Sequence, residues 1–177
     1  MSLIYSFPPV TTPAAHTLIL GSMPGSASLL AEQYYAHPRN LFWPILGELI
    51  GARPDLSYPL RLHRLTSAGI ALWDVLQRCE REGSLDTRID SQSIVPNDFA
   101  TFFDHHPAIR RVFFNGTMAE TVFRRHVLQT LPPLPLRYHR LPSTSPANAA
   151  FSFARRLEAW QLVAADDNNN EHQDSST

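Results

Sequence analysis

Short continuous apolar runs along the chain alternate with longer stretches of helical spacing, and turn residues separate the two. His16–Ser22 (HTLILGS) is a brief apolar run that ends at Gly21, the pattern of a strand buried on both faces. Ile70–Leu76 (IALWDVL, cut short if Asp74 ends it), Ile109–Phe114 (IRRVFF) and Leu136–Leu141 have the same character and predict three further strands. Helices are predicted between them. Leu41–Ile50 is closed by Gly51 and tolerates Pro44 in its first turn, where a missing N–H does no harm. Leu56–Thr66 ends at Gly69, and Asn97–His105 is opened by Pro96 and stopped by Pro107. Thr117 is placed to cap a helix running to Leu128 after an Asn115-Gly116 turn. Ala149–Val163 is amphipathic and offers Phe151, Leu157, Trp160 and Leu162 to a core. Strands alternating with helices predict the α/β class: a three-layer α/β/α sandwich around a four-stranded parallel sheet.

What lies outside this alternation divides the chain. Residues 1–15, with Pro8, Pro9 and Pro13, read as an irregular lead-in; residues 16–165 form a single domain; residues 166–177 form an acidic tail expected to be disordered. Met23–Asn40 is dominated by Gly, Ser, Pro and Tyr and predicts a long loop with one helical turn around Leu29–Gln33. Loops of that length inside compact domains are usually functional.

Charge and composition then remove several chemistries. All fifteen basic side chains are arginine; there is no lysine. Schiff-base chemistry on a lysine side chain, a pyridoxal-phosphate anchor and a Walker-type phosphate loop are therefore excluded. Cys79 is the only cysteine, so an intrachain disulfide and a multi-cysteine zinc site are excluded too, and a reducing cytoplasm fits. The eight histidines have no metal-ligand spacing, and neither a metal nor a cofactor is expected. The net charge of −1 conceals an asymmetry. The last twelve residues hold four acids and no arginine, which leaves fifteen arginines against twelve acids, +3, on the body. That is permissive for nucleic acid. No apolar run is long enough to span a membrane, and the N-terminus lacks a signal-peptide layout.

In an open parallel sheet, ligands bind at the carboxyl ends of the strands. Gly21-Ser22-Met23-Pro24-Gly25, Asp74, Asn115-Gly116 and Ser143–Asn148 all fall at such ends. The two glycines of the first segment let a substrate approach the backbone, though they also suit a plain turn. Tyr34–Trp43 (YYAHPRNLFW) alternates aromatic, cationic and amide groups, suited to stacking on an extruded base; it also reads as an Asn40 helix cap followed by core aromatics. Ser143–Asn148 offers hydroxyls and amides at a helix start, where phosphates bind and where simple caps also occur. Asp74 beside Trp73 is a candidate catalytic or base-reading carboxylate, or a solvated one.

Three stretches together, LILGSMPG (Leu18–Gly25), YYAHPRNLFWPIL (Tyr34–Leu46) and LPSTSPANA (Leu141–Ala149), resemble the hypoxanthine-DNA glycosylases of the uracil-DNA glycosylase superfamily, from about His16 to Val163. The resemblance implies that superfamily's fold and a monofunctional, metal-independent enzyme. Such an enzyme would remove a deaminated base, hypoxanthine first, from double-stranded DNA, as a cytoplasmic monomer that starts base excision repair. Asn40 would orient the attacking water, with Asp74 the alternative, and Phe42 would stack on the extruded base. Gly21, Ser22, Met23, Pro24, Gly25 and Asn115 would line the base pocket. His37, Arg39, Ser143, Thr144, Ser145 and Asn148 would hold the DNA backbone. Met23 stands where uracil-acting relatives of the mismatch branch carry a water-positioning Asn, which argues against strong uracil activity. Ala147 is smaller than the wedge residue relatives carry near that place. The alternatives are a glycosylase acting mainly on mismatched uracil, a small Ser-dependent α/β hydrolase using Ser22 or Ser145, and a DNA-binding module without catalysis.

Overall fold

A computed structural model describes residues 1–166. The chain opens with β1 (Ser2–Tyr5) and crosses to β2 (Thr17–Gly21). Next come helices α1 (Ser26–Ala31), α2 (Phe42–Ile50) and α3 (Tyr58–Ser67). Strands β3 (Ile70–Asp74), β4 (Leu76–Arg81) and β5 (Val95–Pro96) precede α4 (Phe99–His105). The order then runs β6 (Arg111–Asn115), α5 (Thr117–His126), β7 (Arg137–Leu141) and α6 (Phe153–Ala164).

Strands β3, β2, β6 and β7 lie side by side in that order, all parallel. Alternation along each strand sends side chains to two cores. Ile19, Ile70, Leu72 and Phe113 pack on one face with Phe42, Ile45, Leu65 and Trp160 of α2, α3 and α6. Leu18, Leu20, Trp73, Val112 and Phe114 pack on the other with Phe99, Phe103, Val122 and Phe123 of α4 and α5. This is the three-layer α/β/α sandwich. The chain leaves β2 toward β3 on one side and later returns past it to β6, so the order reverses between β2 and β6. A crevice opens at the carboxyl ends of these two strands.

Residues 1–15 depart from the expected irregular lead-in. Ser2–Tyr5 pairs antiparallel with Arg78–Arg81, and β4 pairs in turn with β5, which makes a second, three-stranded sheet. Val10 then bonds Leu72 in both directions at the edge of the main sheet, 2.9 and 2.8 Å. The partners of these backbone groups lie some sixty to eighty residues away, beyond the reach of a local reading. The run Ile70–Leu76 divides at Asp74, where the backbone leaves one sheet and enters the other. Pro96 belongs to β5, and Asp98 caps α4, accepting from Thr101 N at 3.1 Å. Gly116, not Thr117, stands at the cap of α5, with φ 93°. Its missing Cβ would lie 3.0 Å from Ser143 Cβ. Helix α6 starts at Phe153, where the Ser152 hydroxyl accepts from Arg155 N at 3.3 Å, and not at Ala149. The tail from Asp167 lies outside the described residues. Among the described residues no helix is long and apolar enough to cross a membrane.

Candidate active site

The crevice is a cleft of about 1070 Å³ open to solvent. Its floor starts where β2 and β3 end in register, with Gly21 beside Asp74. A Cβ on Gly21 would lie 2.5 Å from Asp74 Oδ1 and 3.0 Å from the Tyr35 hydroxyl, so only glycine lets both groups come this close. Asp74 is 3% exposed, and its Oδ2 has no hydrogen-bond partner among the described residues. Its carbonyl accepts from Asn97 Nδ2 at 2.8 Å, which fixes the backbone at the strand end. Burial first, then the negative charge of Asp86, push the Asp74 carboxyl up to about 7, against the opposing pull of Arg81.

One wall is a loop to which the sequence pattern assigns no element. Arg81, 2% exposed, donates from Nε to Gly83 O at 2.8 Å and from Nη2 to Pro24 O at 2.6 Å, and so ties two loops together. Ser84 Oγ donates to Ser26 Oγ at 2.7 Å and accepts from Ser26 N at 2.9 Å. Ser22 Oγ donates to Asp86 Oδ2 at 2.6 Å. Burial raises the Asp86 carboxyl as well, while the Ser22 hydroxyl and Arg81 hold it down. Met23, Pro24 and Gly25 complete this side of the cleft.

The opposite wall is fastened by Asn115 at the end of β6. Its Nδ2 donates to Thr144 Oγ1 at 2.9 Å and its Oδ1 accepts from Thr144 N at 3.0 Å. Thr144 is fully buried, and its carbonyl accepts from Leu41 N at 3.0 Å, so one side chain joins the sheet, the 142–148 loop and the start of α2. Within that loop the Ser143 and Ser145 hydroxyls accept from the N–H groups of Ser145 and Ala147, both at 3.2 Å. Asn148 Nδ2 donates to Ser143 O at 3.2 Å.

The YYAHPRNLFW segment lies over the floor. Tyr34 is pinned on several sides: its hydroxyl donates to Pro8 O at 2.9 Å, its N–H to the Tyr58 hydroxyl at 3.0 Å, and its carbonyl accepts from Trp43 Nε1 at 2.9 Å. Ala36 N donates to Ser28 Oγ at 3.1 Å. Between these anchors Tyr35 takes a left-handed backbone, φ 55°, and its ring enters the cleft wall. Burial first and the Asp74 charge second hold the Tyr34 and Tyr35 hydroxyls protonated, far above the usual phenol range. Phe42 is 0% exposed, stacked behind Tyr35 at 4.0 Å between ring centres and flanked by Trp43 and Trp160. It does not line the cleft, which corrects the expectation that its ring meets the base: helix α2 turns Phe42 into the core and leaves Tyr35 in front. Asn40 lines the cleft while its Oδ1 accepts from Phe42 N at 2.9 Å, so the cap and a site position coincide in one residue.

His37, Arg39 and Arg140 form the rim. His37 Nδ1 accepts from Arg39 N at 3.1 Å, and Arg140 faces Glu120 at 3.5 Å. All the expected site residues except Phe42 thus converge on one cleft. The pattern missed Tyr35 as a wall residue, Asp86, Arg81 and Ser84 as the second loop, and Arg140 as a rim cation. The Gly83-Ser84 turn is the one visible sign of that loop; a buried arginine leaves none, since arginine is usually exposed. Among the described residues no group of three His, Cys, Asp or Glu side chains is placed to hold a metal ion.

The result is a deeply buried carboxyl floor beneath a cationic rim. Burial disfavours a charged phosphate at such a floor and the rim attracts one, so the cleft suits a neutral heterocycle whose phosphates stay outside. The sequence pattern of the Uracil DNA glycosylase superfamily matches residues 8–164. A protein of Methanosarcina acetivorans named "Hypoxanthine DNA glycosylase" is 37% identical over 161 residues, 89% of this chain and 95% of that one. Its namesake in Methanosarcina barkeri is 43% identical over 111 residues, 62% of this chain and 69% of that one. The solution NMR structure of a candidate uracil DNA glycosylase from Methanosarcina acetivorans superposes with a TM-score of 0.74 at 34% identity, covering 92% of this chain and 97% of that one.

Proposed function

The chain belongs to the uracil DNA glycosylase superfamily and is a DNA glycosylase, a hydrolase of N-glycosidic bonds, and we propose that the base it removes is hypoxanthine, from deoxyinosine in double-stranded DNA. The observation that carries this reading is the buried carboxyl of Asp74 at the cleft floor below the arginine rim. Extruding a base costs a few kcal/mol, least at a mismatched pair such as a deaminated one. The rim at Arg39, with His37, Ser143, Thr144, Ser145 and Asn148, holds the backbone while the base turns in. Tyr35, backed by Phe42, supplies the stacking face.

The bond breaks through an oxocarbenium-like sugar as negative charge builds on the base. Hypoxanthine spreads that charge onto its carbonyl oxygen, toward which the Ser22 and Met23 N–H groups are assigned as donors. So reactive a sugar cation needs an oriented water and no strong base. Asn40 holds that water. The bond from Phe42 N fixes its carboxamide at the cleft wall, and its oxygen keeps a second lone pair for a water proton. Met23 has no polar group for this work, which supports a purine substrate over uracil. We assign the reaction to the cytoplasm and to a monomer; the lone buried Cys79 needs no oxidising compartment.

The test is incubation of the full chain with duplexes carrying one deoxyinosine, deoxyuridine or deoxyxanthosine, followed by alkali to break abasic sites. Cleavage is expected at deoxyinosine first, with a loss of roughly 100-fold or more in Asn40→Ala. Full activity in that variant would remove Asn40 from the mechanism, and no cleavage of any of the three would sink the reading.

A further inference from the structure

We propose that Asp74 is the general acid of the reaction, delivering its carboxyl proton to N7 of the departing purine. The inference rests on the hypoxanthine reading above and goes past it, because that reading gives the floor no chemical role.

Geometry carries the argument. Asp74 is the most deeply placed carboxyl of the cleft wall, and its buried Oδ2 has no hydrogen-bond partner among the described residues. A buried polar atom left unpaired costs about 1–3 kcal/mol unless something else completes it, and Asp74 lines the substrate cleft. Burial and the negative charge of Asp86 favour a proton on Asp74 and outweigh the pull of Arg81. Asp86 adds negative charge from the loop after β4; Tyr34 and Tyr35, from the segment before α2, are neutral phenols. Arg81, whose Nε and Nη2 donate to the carbonyls of Gly83 and Pro24, is the nearby cation and pulls the other way, by less than burial and Asp86 together. The strand end supplies only Gly21, whose absent side chain leaves the carboxyl its space. Burial and Asp86 bring its titration to about 7, so the acid is loaded at neutral pH. A carboxyl that already bears its proton is a poor base for water, which leaves the water to Asn40.

The step balances. As C1′–N9 breaks, its electron pair goes to the ring, and the proton passes from the Asp74 carboxyl to N7, so neutral N7-protonated hypoxanthine departs. Water then adds to C1′, its surplus proton passes to solvent, and Asp74 is reprotonated from solvent. Asp86, which accepts from the Ser22 hydroxyl at 2.6 Å, acts through Asp74 and is a positioning residue.

The experiment is single-turnover excision by the full chain on duplexes containing deoxyinosine or 7-deaza-deoxyinosine, which has carbon in place of N7, between about pH 5.5 and 8.5. Wild type should cut deoxyinosine with a rate that falls as pH rises through about 7, and should cut the 7-deaza duplex roughly 100- to 10,000-fold more slowly. Asp74→Asn, close in volume, should lose a similar factor on deoxyinosine, flatten the pH profile and bind the duplex as before. Its discrimination against the 7-deaza base should collapse. Asp86→Asn should move the alkaline limb of the pH profile to lower pH. Equal wild-type rates on the two bases, or an Asp74→Asn enzyme that keeps its rate or its discrimination, would overturn the proposal. Those outcomes differ from a wild type inactive on deoxyinosine, which overturns the substrate reading as well.

Discussion

Tyr35 sits at φ 55° with both neighbours tied, Tyr34 by its hydroxyl, N–H and carbonyl and Ala36 by its N–H. A non-glycine residue in that region costs about 1–3 kcal/mol, and the bonds on either side offset it. The strain aims an aromatic face into the cleft, with Phe42 stacked behind it at 4.0 Å. Substitution separates the two rings. Tyr35→Ala removes a face worth roughly 1–3 kcal/mol of base stacking, so excision of hypoxanthine should drop about 10- to 100-fold while the fold persists. Phe42→Ala opens a cavity between two layers and should cost about 3–5 kcal/mol in urea unfolding. The reverse outcome, a stable Phe42→Ala enzyme with the larger loss of activity, would return Phe42 to the base. The motif makes both aromatics visible in the sequence. Which of them fronts the cleft depends on the direction in which α2 enters the core, and local spacing does not encode that.

At the scale of elements, the cleft is built from strand ends clamped by side chains far apart in the chain. Arg81 joins the loop after β4 to the loop after β2, and Asn115 joins β6 to the 142–148 loop. Replacing Arg81 by methionine leaves the Pro24 and Gly83 carbonyls without their charged donor. The Pro24 carbonyl is buried and, so stranded, costs about 1–3 kcal/mol of unfolding free energy, while the exposed Gly83 carbonyl turns to water. Limited proteolysis should then cut within residues 82–88, and excision should weaken together with stability. Unchanged protease resistance would show that the loop holds itself. The strands and helices that this clamp serves are legible from apolar runs and their punctuation. The small sheet of β1, β4 and β5 is not, because short half-exposed strands draw on distant partners for their hydrogen bonds.

For the whole molecule, charge and composition bear on the product. With fifteen arginines and no lysine, no lysine side chain can attack the sugar as an amine and nick the strand by β-elimination. The expected product is an unbroken strand with an abasic site. Before alkali, a denaturing gel should show no cleavage, and borohydride should trap no protein–DNA adduct. A trapped adduct would point to the N-terminal amine, the one primary amine in the chain. Arginine makes every cationic side-chain contact with DNA, so binding should weaken steeply with salt, by about 0.9 log per log of salt for each phosphate contacted.

By itself the sequence determined the layer order, the four central strands and the convergence of Gly21–Gly25, Asn40, Asp74, Asn115 and Ser143–Asn148, because apolar periodicity and strand-end turns are local quantities. Lysine's absence limits the chemistry in the same way, since composition is the same however the chain folds. Tertiary structure alone decided that Tyr35 stands in front of Phe42, that Arg81 is buried as a clamp, and that Asp74 and Asp86 line one cleft. Those three facts depend on desolvation and on distances between residues separated by up to about sixty positions, and both arise only when the layers close.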